Sequence, residues 1–122
     1  MQYNFEEALK VGRAIEQKPE VALYHFVGAL LALAEGDTAA AEGSFDRAIE
    51  LGHVSGERRA SFHLWRARAR DQRGRRGEAL ADYRAARSGD EYVRAAADKG
   101  MTRAWRPRRF GIEFTLADVP MP

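Results

Sequence analysis

The side chains able to do chemistry in this chain are mainly arginines and carboxylates. There is no cysteine, and His25, His53 and His63 lack the spacing of a metal-ligand set. Catalysis needs a base, a nucleophile and an orienting group held together, and no such set is visible. The sequence therefore predicts no catalytic residue, no metal, no cofactor and no small-molecule substrate. Guanidinium groups form two-pronged hydrogen bonds with carboxylates or phosphates. Arg66, Arg70 and Arg73 fall on nearly one helical stripe, with Arg75 and Arg76 beside the next turn, and this set is a candidate basic face. With Trp65 and Trp105 nearby, and Arg106, Arg108 and Arg109 further on, single-stranded nucleic acid is an alternative ligand through phosphate contacts and stacking. Against it, Asp71, Glu78 and Asp82 interleave with the arginines and the net charge is only +2.

That small net charge conceals an asymmetry. Up to Glu57 four cations face ten acids, and from Arg58 onward sixteen cations face eight acids. A solvated surface, an acidic partner, or an antiparallel homodimer with complementary halves would each accommodate it. Only three of the cations are lysines; with frequent alanine, this composition suggests a bacterium with a GC-rich genome. The longest apolar run, near Leu30 to Ala34, is too short to span a bilayer, and the acidic start MQYNFEE is unlike a secretory signal. A soluble cytoplasmic protein with no membrane partner is expected.

The elements that must position these groups are helices. Apolar residues recur at three and four, and Ala, Leu, Glu and Arg dominate. The spacing predicts a first helix over residues 4–17, capped by Asn4 and ended before Pro19. A second runs over 20–35 and is stopped by Gly36; a third, capped by Asp37 or Thr38, reaches Leu51. A fourth covers 57–73 up to Gly74, and a fifth 77–87. Ser88 and Glu91 have capping-box spacing for a sixth, weakened by Gly100 and ended by Pro107. Residues 1–109 thus form one helical domain. Residues 110–122 form an extended tail in which Phe110, Ile112, Phe114 and Leu116 alternate with polar residues at the period of a strand.

Internal repeats organise the helices. Arg13-Ala14-Ile15-Glu16 recurs as Arg47-Ala48-Ile49-Glu50 after 34 residues. A second self-match, 38 residues apart, pairs Ala29 with Ala67, Gly36 with Gly74, Ala41 with Ala79, Phe45 with Tyr83 and Ala48 with Ala86. His25 and His63 pair in the same way, which favours packing roles for both. These residues resemble the tetratricopeptide repeat, whose units carry a small residue in the first helix, glycine at the turn, and alanine, an aromatic and alanine along the second. The likeness covers about residues 4–88. It departs in the first helices, where His25 and His63 stand in place of a large aromatic and Gly28 and Arg66 in place of leucine.

The resemblance implies an all-α solenoid of about six helices in antiparallel hairpins, and a protein-binding module or adaptor rather than an enzyme. It also implies a concave face built from first helices, at Leu23, Phe26, Leu30 and Leu33 in one unit and Ser61, Leu64, Arg68 and Asp71 in the next. Members that grip a C-terminal carboxylate place polar groups where Phe26 and Leu30 stand here, so that mode is not expected. Leu23, Phe26, Leu30 and Leu33 are either core, covered by the first helix, or one end of an apolar-to-basic groove for another protein or peptide, with Leu64 and Arg68 at its charged end. The tail is expected to dock through Phe110, Ile112, Phe114 and Leu116, in this molecule's groove, in a second copy, or on another protein.

Overall fold

The computed structural model describes residues 19–107. The expected helix over 4–17 and the tail residues Phe110, Ile112, Phe114 and Leu116 lie outside the described residues. Within them the chain is all-helical, with no strand: α1 (Pro19–Ala34), α2 (Thr38–Leu51), α3 (Gly56–Gln72), α4 (Arg76–Ala86) and α5 (Glu91–Thr102). Pro19 opens α1, at the helical position where a missing N–H costs nothing.

Each helix packs on the next, and α3 also touches α1 and α5. The two internal turns are duplicates. Gly36, with φ +83°, donates to Leu33 and is followed by an Asp37 N–H bond to Ala32; Gly74, with φ +72°, donates to Asp71 and is followed by an Arg75 N–H bond to Arg70. Both reversals need a left-handed residue, which is why glycine stands at each. The 38-residue self-match also holds in the core, where Ala29, Ala41, Phe45 and Ala48, and Ala67, Ala79, Tyr83 and Ala86, are all fully buried.

Two helix starts are fixed by local chemistry. Asp37 accepts the Ala40 N–H at 3.1 Å, and Asp90 accepts the Val93 N–H at 2.9 Å. The second corrects the sequence expectation at α5. Ser88 does not cap that helix, because its hydroxyl donates back to the Ala85 carbonyl at 3.0 Å, finishing the preceding turn. Gly100 also differs from expectation. Its missing side chain lets α5 lie directly on Tyr83, and a Cβ there would sit 2.3 Å from the phenol ring.

The core divides into two clusters that share α3. One joins α1 and α2 to Phe62, Trp65 and Ala69; the other joins Ala60, Leu64 and Ala67 to α4 and α5. Phe26 stacks at 4.9 Å from Phe62 and 5.7 Å from Phe45, ring centre to ring centre, linking three helices.

Candidate functional site

The acidic first half and basic second half of the sequence meet inside the molecule. Glu42 lies three residues before Phe45 and so shares its helical face, which brings a carboxylate into the seam between α2 and α3 at 3% exposure. Arg70 donates to it at 2.7 Å, Arg75 at 2.6 and 2.7 Å, and Arg73 also bonds it. Asp82 on α4, 2% exposed, accepts from His63 at 2.8 Å, from Arg66 at 2.8 Å through both Nε and Nη2, and from Arg70 at 2.7 Å. Arg66 reaches Asp46 as well, and Arg75 pairs with Glu78. Arg70 therefore joins two buried carboxylates.

Burial pushes the Glu42 and Asp82 carboxyls up, but their partners outweigh it and hold both below the usual carboxylate range. For Glu42 the counterweights are bonds from Arg70 and Arg73 and the nearby charges of Arg75 and Arg70. For Asp82 they are His63, Arg66 and Arg70.

The residues of the expected basic face lie in or beside this network. Arg66, Arg70, Arg73, Arg75 and Arg76 each donate to a carboxylate, Arg76 to Asp71 at 3.0 Å. The carboxylates offset part of this positive charge, while the Arg73 and Arg75 side chains remain 35% and 39% exposed. For the apolar stripe, burial favours the core alternative over the groove. Leu23, Phe26, Leu30, Leu33 and Leu64 are all at most 6% exposed, because α2 and α3 on one side and α4 and α5 on the other close over them. They are core, and Ser61, from the same expected face, is buried too.

Of the six groove residues only Arg68 lines an open surface. Its guanidinium lies 4.4 Å from the Trp65 ring centre and 5.4 Å from that of Trp105, and the two indoles meet edge to face at 5.9 Å. Asp71 builds this corner. Its side chain is fully buried, accepting from Tyr83 Oη at 2.6 Å, from Arg76, and from the Trp105 backbone N–H at 2.8 Å. Gln72 donates to the Trp105 carbonyl at 3.2 Å. Burial first, and then Asp71, push the Tyr83 hydroxyl up well beyond the usual phenol range, so it remains a donor.

Beyond Trp105 opens a cleft of about 1170 Å³ between α3, α5 and residues 103–106. One face of α5 forms its length, where Tyr92, Ala95, Ala96, Lys99 and Gly100 recur at helical spacing, and Arg103, in extended backbone just past the helix end, continues the lining. Tyr92 is 44% exposed. Among the described residues no carboxylate lies within ion-pair distance of Lys99, Arg103 or Arg106, and Asp98, the one acid lining the cleft, pairs with Arg87 at 2.9 Å. Sequence reasoning missed Tyr92, Lys99 and Arg103 as a set; the seven-residue spacing of Tyr92 and Lys99 on one helical face was the available signal, and Arg103 follows just past the helix end.

Among the described residues no group of three or more His, Asp or Glu is placed to hold a metal, and no helix is long and apolar enough to cross a membrane. No protein-family model matches the chain, and no match is found among curated proteins or solved structures.

Proposed function

We propose that this chain is a short helical-repeat module of the tetratricopeptide kind that holds a partner polypeptide in the cleft between α3 and α5. The observation that carries the reading is the cleft itself. At about 1170 Å³ it exceeds the roughly 300–1,000 Å³ of small-molecule pockets and lies open along a helix, a shape suited to an extended chain. Its floor of tyrosine, alanine and tryptophan takes apolar side chains, and Lys99, Arg103 and Arg106 at its rim favour a partner bearing carboxylates. The duplicated turns and duplicated buried alanines support the repeat assignment, and α1, α3 and α5 would be its first helices. Pairing of Arg66, Arg70, Arg73, Arg75 and Arg76 with carboxylates weighs against the nucleic-acid alternative.

Selection of displayed peptides on the full chain tests this. Recovered sequences should carry apolar residues next to acids and change the tryptophan fluorescence. The Lys99→Glu/Arg103→Glu variant should bind them on the order of 10-fold more weakly, with unchanged helicity, because rim charges set complementarity. Peptides whose affinity is untouched by that variant would overturn the reading.

A further inference from the structure

The chain that follows α5 is held to the fold by side chains rather than by backbone. The helix closes on a bond from the Arg103 N–H to the Lys99 carbonyl, and Arg103 is already extended, at φ −144° and ψ 137°. Two residues on, both backbone groups of Trp105 are taken by adjacent residues at the end of α3. Its N–H donates to Asp71 at 2.8 Å, and its carbonyl accepts from Gln72 at 3.2 Å. One acceptor and one donor offered together to a single non-helical residue reproduce the exchange between paired strand residues, which grips a peptide backbone whatever its side chains.

The Trp105 side chain is engaged separately. Its indole meets that of Trp65 edge to face at 5.9 Å, with the Arg68 guanidinium 5.4 Å from its centre. Trp105 packs against the first core cluster, whereas α5 belongs largely to the second, so residues 103–106 join the two. The receiving carboxylate is also fixed by other bonds: Asp71 is fully buried and accepts from Tyr83 Oη at 2.6 Å and from Arg76 at 3.0 and 3.1 Å.

We propose that the end of α3 is a binding site for a non-helical polypeptide segment bearing an aromatic side chain, and that residues 103–106 fill it in cis as a displaceable strap. The inference deepens the reading of the chain as a polypeptide-binding module and rests on it. A competing segment replaces Trp105 group for group: its N–H on Asp71, its carbonyl on Gln72, and its ring on Trp65 beside Arg68. Ala104 and Trp105 also wall the cleft, so displacement of the strap reshapes it. A tethered occupant needs little intrinsic affinity, because a short tether gives millimolar effective concentrations, and the strap thereby sets a threshold for partner binding.

Two measurements on the full chain test this. In the native protein the Trp105 amide should exchange with solvent at least about 10-fold more slowly than in an unstructured chain and at least about 10-fold faster than the Trp65 amide, because the strap leaves while α3 stays folded. Exchange at the Trp65 rate would make the strap part of the core, and exchange without protection would mean that Asp71 does not hold it; either result overturns the proposal. The second measurement adds the capped peptide Arg-Ala-Trp-Arg-Pro, a copy of residues 103–107, to the Trp105→Ala chain. It should shift the Trp65 indole resonance saturably, and bind the unsubstituted chain at least about 10-fold more weakly. Methylating the backbone nitrogen of the peptide's tryptophan, which removes the N–H that Asp71 accepts, should weaken binding about 10-fold. No saturable shift in a Trp105→Ala chain of native helicity, or equal binding of the methylated peptide, overturns the proposal; where that chain loses its helicity, amide exchange decides. Selected peptides that respond to Lys99→Glu/Arg103→Glu while these measurements fail would leave the cleft standing without a displaceable strap. Absence of any selected peptide would remove the cleft reading whatever the strap does.

Discussion

At the scale of single residues the account depends on buried carboxylates. Glu42 collects three arginines, and Glu42→Ala removes the anion and leaves those guanidinium groups facing one another. The expected loss is about 3 kcal/mol in urea denaturation, at the lower end for broken buried pairs because Arg73 and Arg75 reach solvent. A loss below the error of the fit would show that the seam is ordinary surface. The same groups set a pH dependence. Glu42 and Asp82 are ionised more readily folded than unfolded, so the unfolded chain binds more protons as pH falls. Their contribution is fully present above the ordinary carboxylate values and declines below about pH 4 as the native values are crossed. Tyr83 has the opposite sense: its raised value contributes stability that is fully present below about pH 10 and lost above it. Thermal melts across pH, compared with Glu42→Gln, would show the acid limb shrinking in the variant. The arginine stripe was legible in the sequence. Its saturation was not, because Glu42 precedes Arg70 by 28 residues and only tertiary packing brings them together.

At the scale of elements, two glycines in helix interiors should respond oppositely. Gly43 on α2 has open space where a Cβ would go, so Gly43→Ala should stabilise by up to about 1 kcal/mol. Gly100→Ala gains the same propensity but drives a methyl into Tyr83, and should instead cost on the order of 1–3 kcal/mol and disturb the cleft wall. Stabilisation by both substitutions, in paired denaturation curves, would mean that α5 does not sit on the ring. Helices α1 to α4 were predicted within a residue or two, since capping groups, turn glycines and the small-residue repeat all act locally. The start of α5 was misread because Ser88 and Asp90 compete for one cap, and rotamer and backbone geometry decide between them. The stripe Leu23, Phe26, Leu30 and Leu33 was correctly seen as apolar. Which neighbour covers it is a property of the stack, and Phe26→Glu should therefore unfold the chain rather than abolish binding selectively, as circular dichroism would report.

For the whole molecule, part of the opposition of charge between the two halves of the sequence is met within the fold, where Glu42 and Asp46 of α2 receive Arg66, Arg70, Arg73 and Arg75. Two outward surfaces stand out among the described residues: the cationic, aromatic cleft beside α5 and the apolar strip on α1. The account places binding at the first of these. Amide and indole chemical-shift mapping of the full chain, titrated separately with a selected acidic-apolar peptide and with a single-stranded oligonucleotide, tests this most directly. We expect the peptide to shift the Trp105 indole together with Tyr92, Ala96, Lys99 and Arg103, and the oligonucleotide to leave the Arg66 to Arg75 region unmoved at physiological salt. Shifts centred on that arginine region with the oligonucleotide, or on Tyr24, Val27 and Leu31 with the peptide, would contradict it.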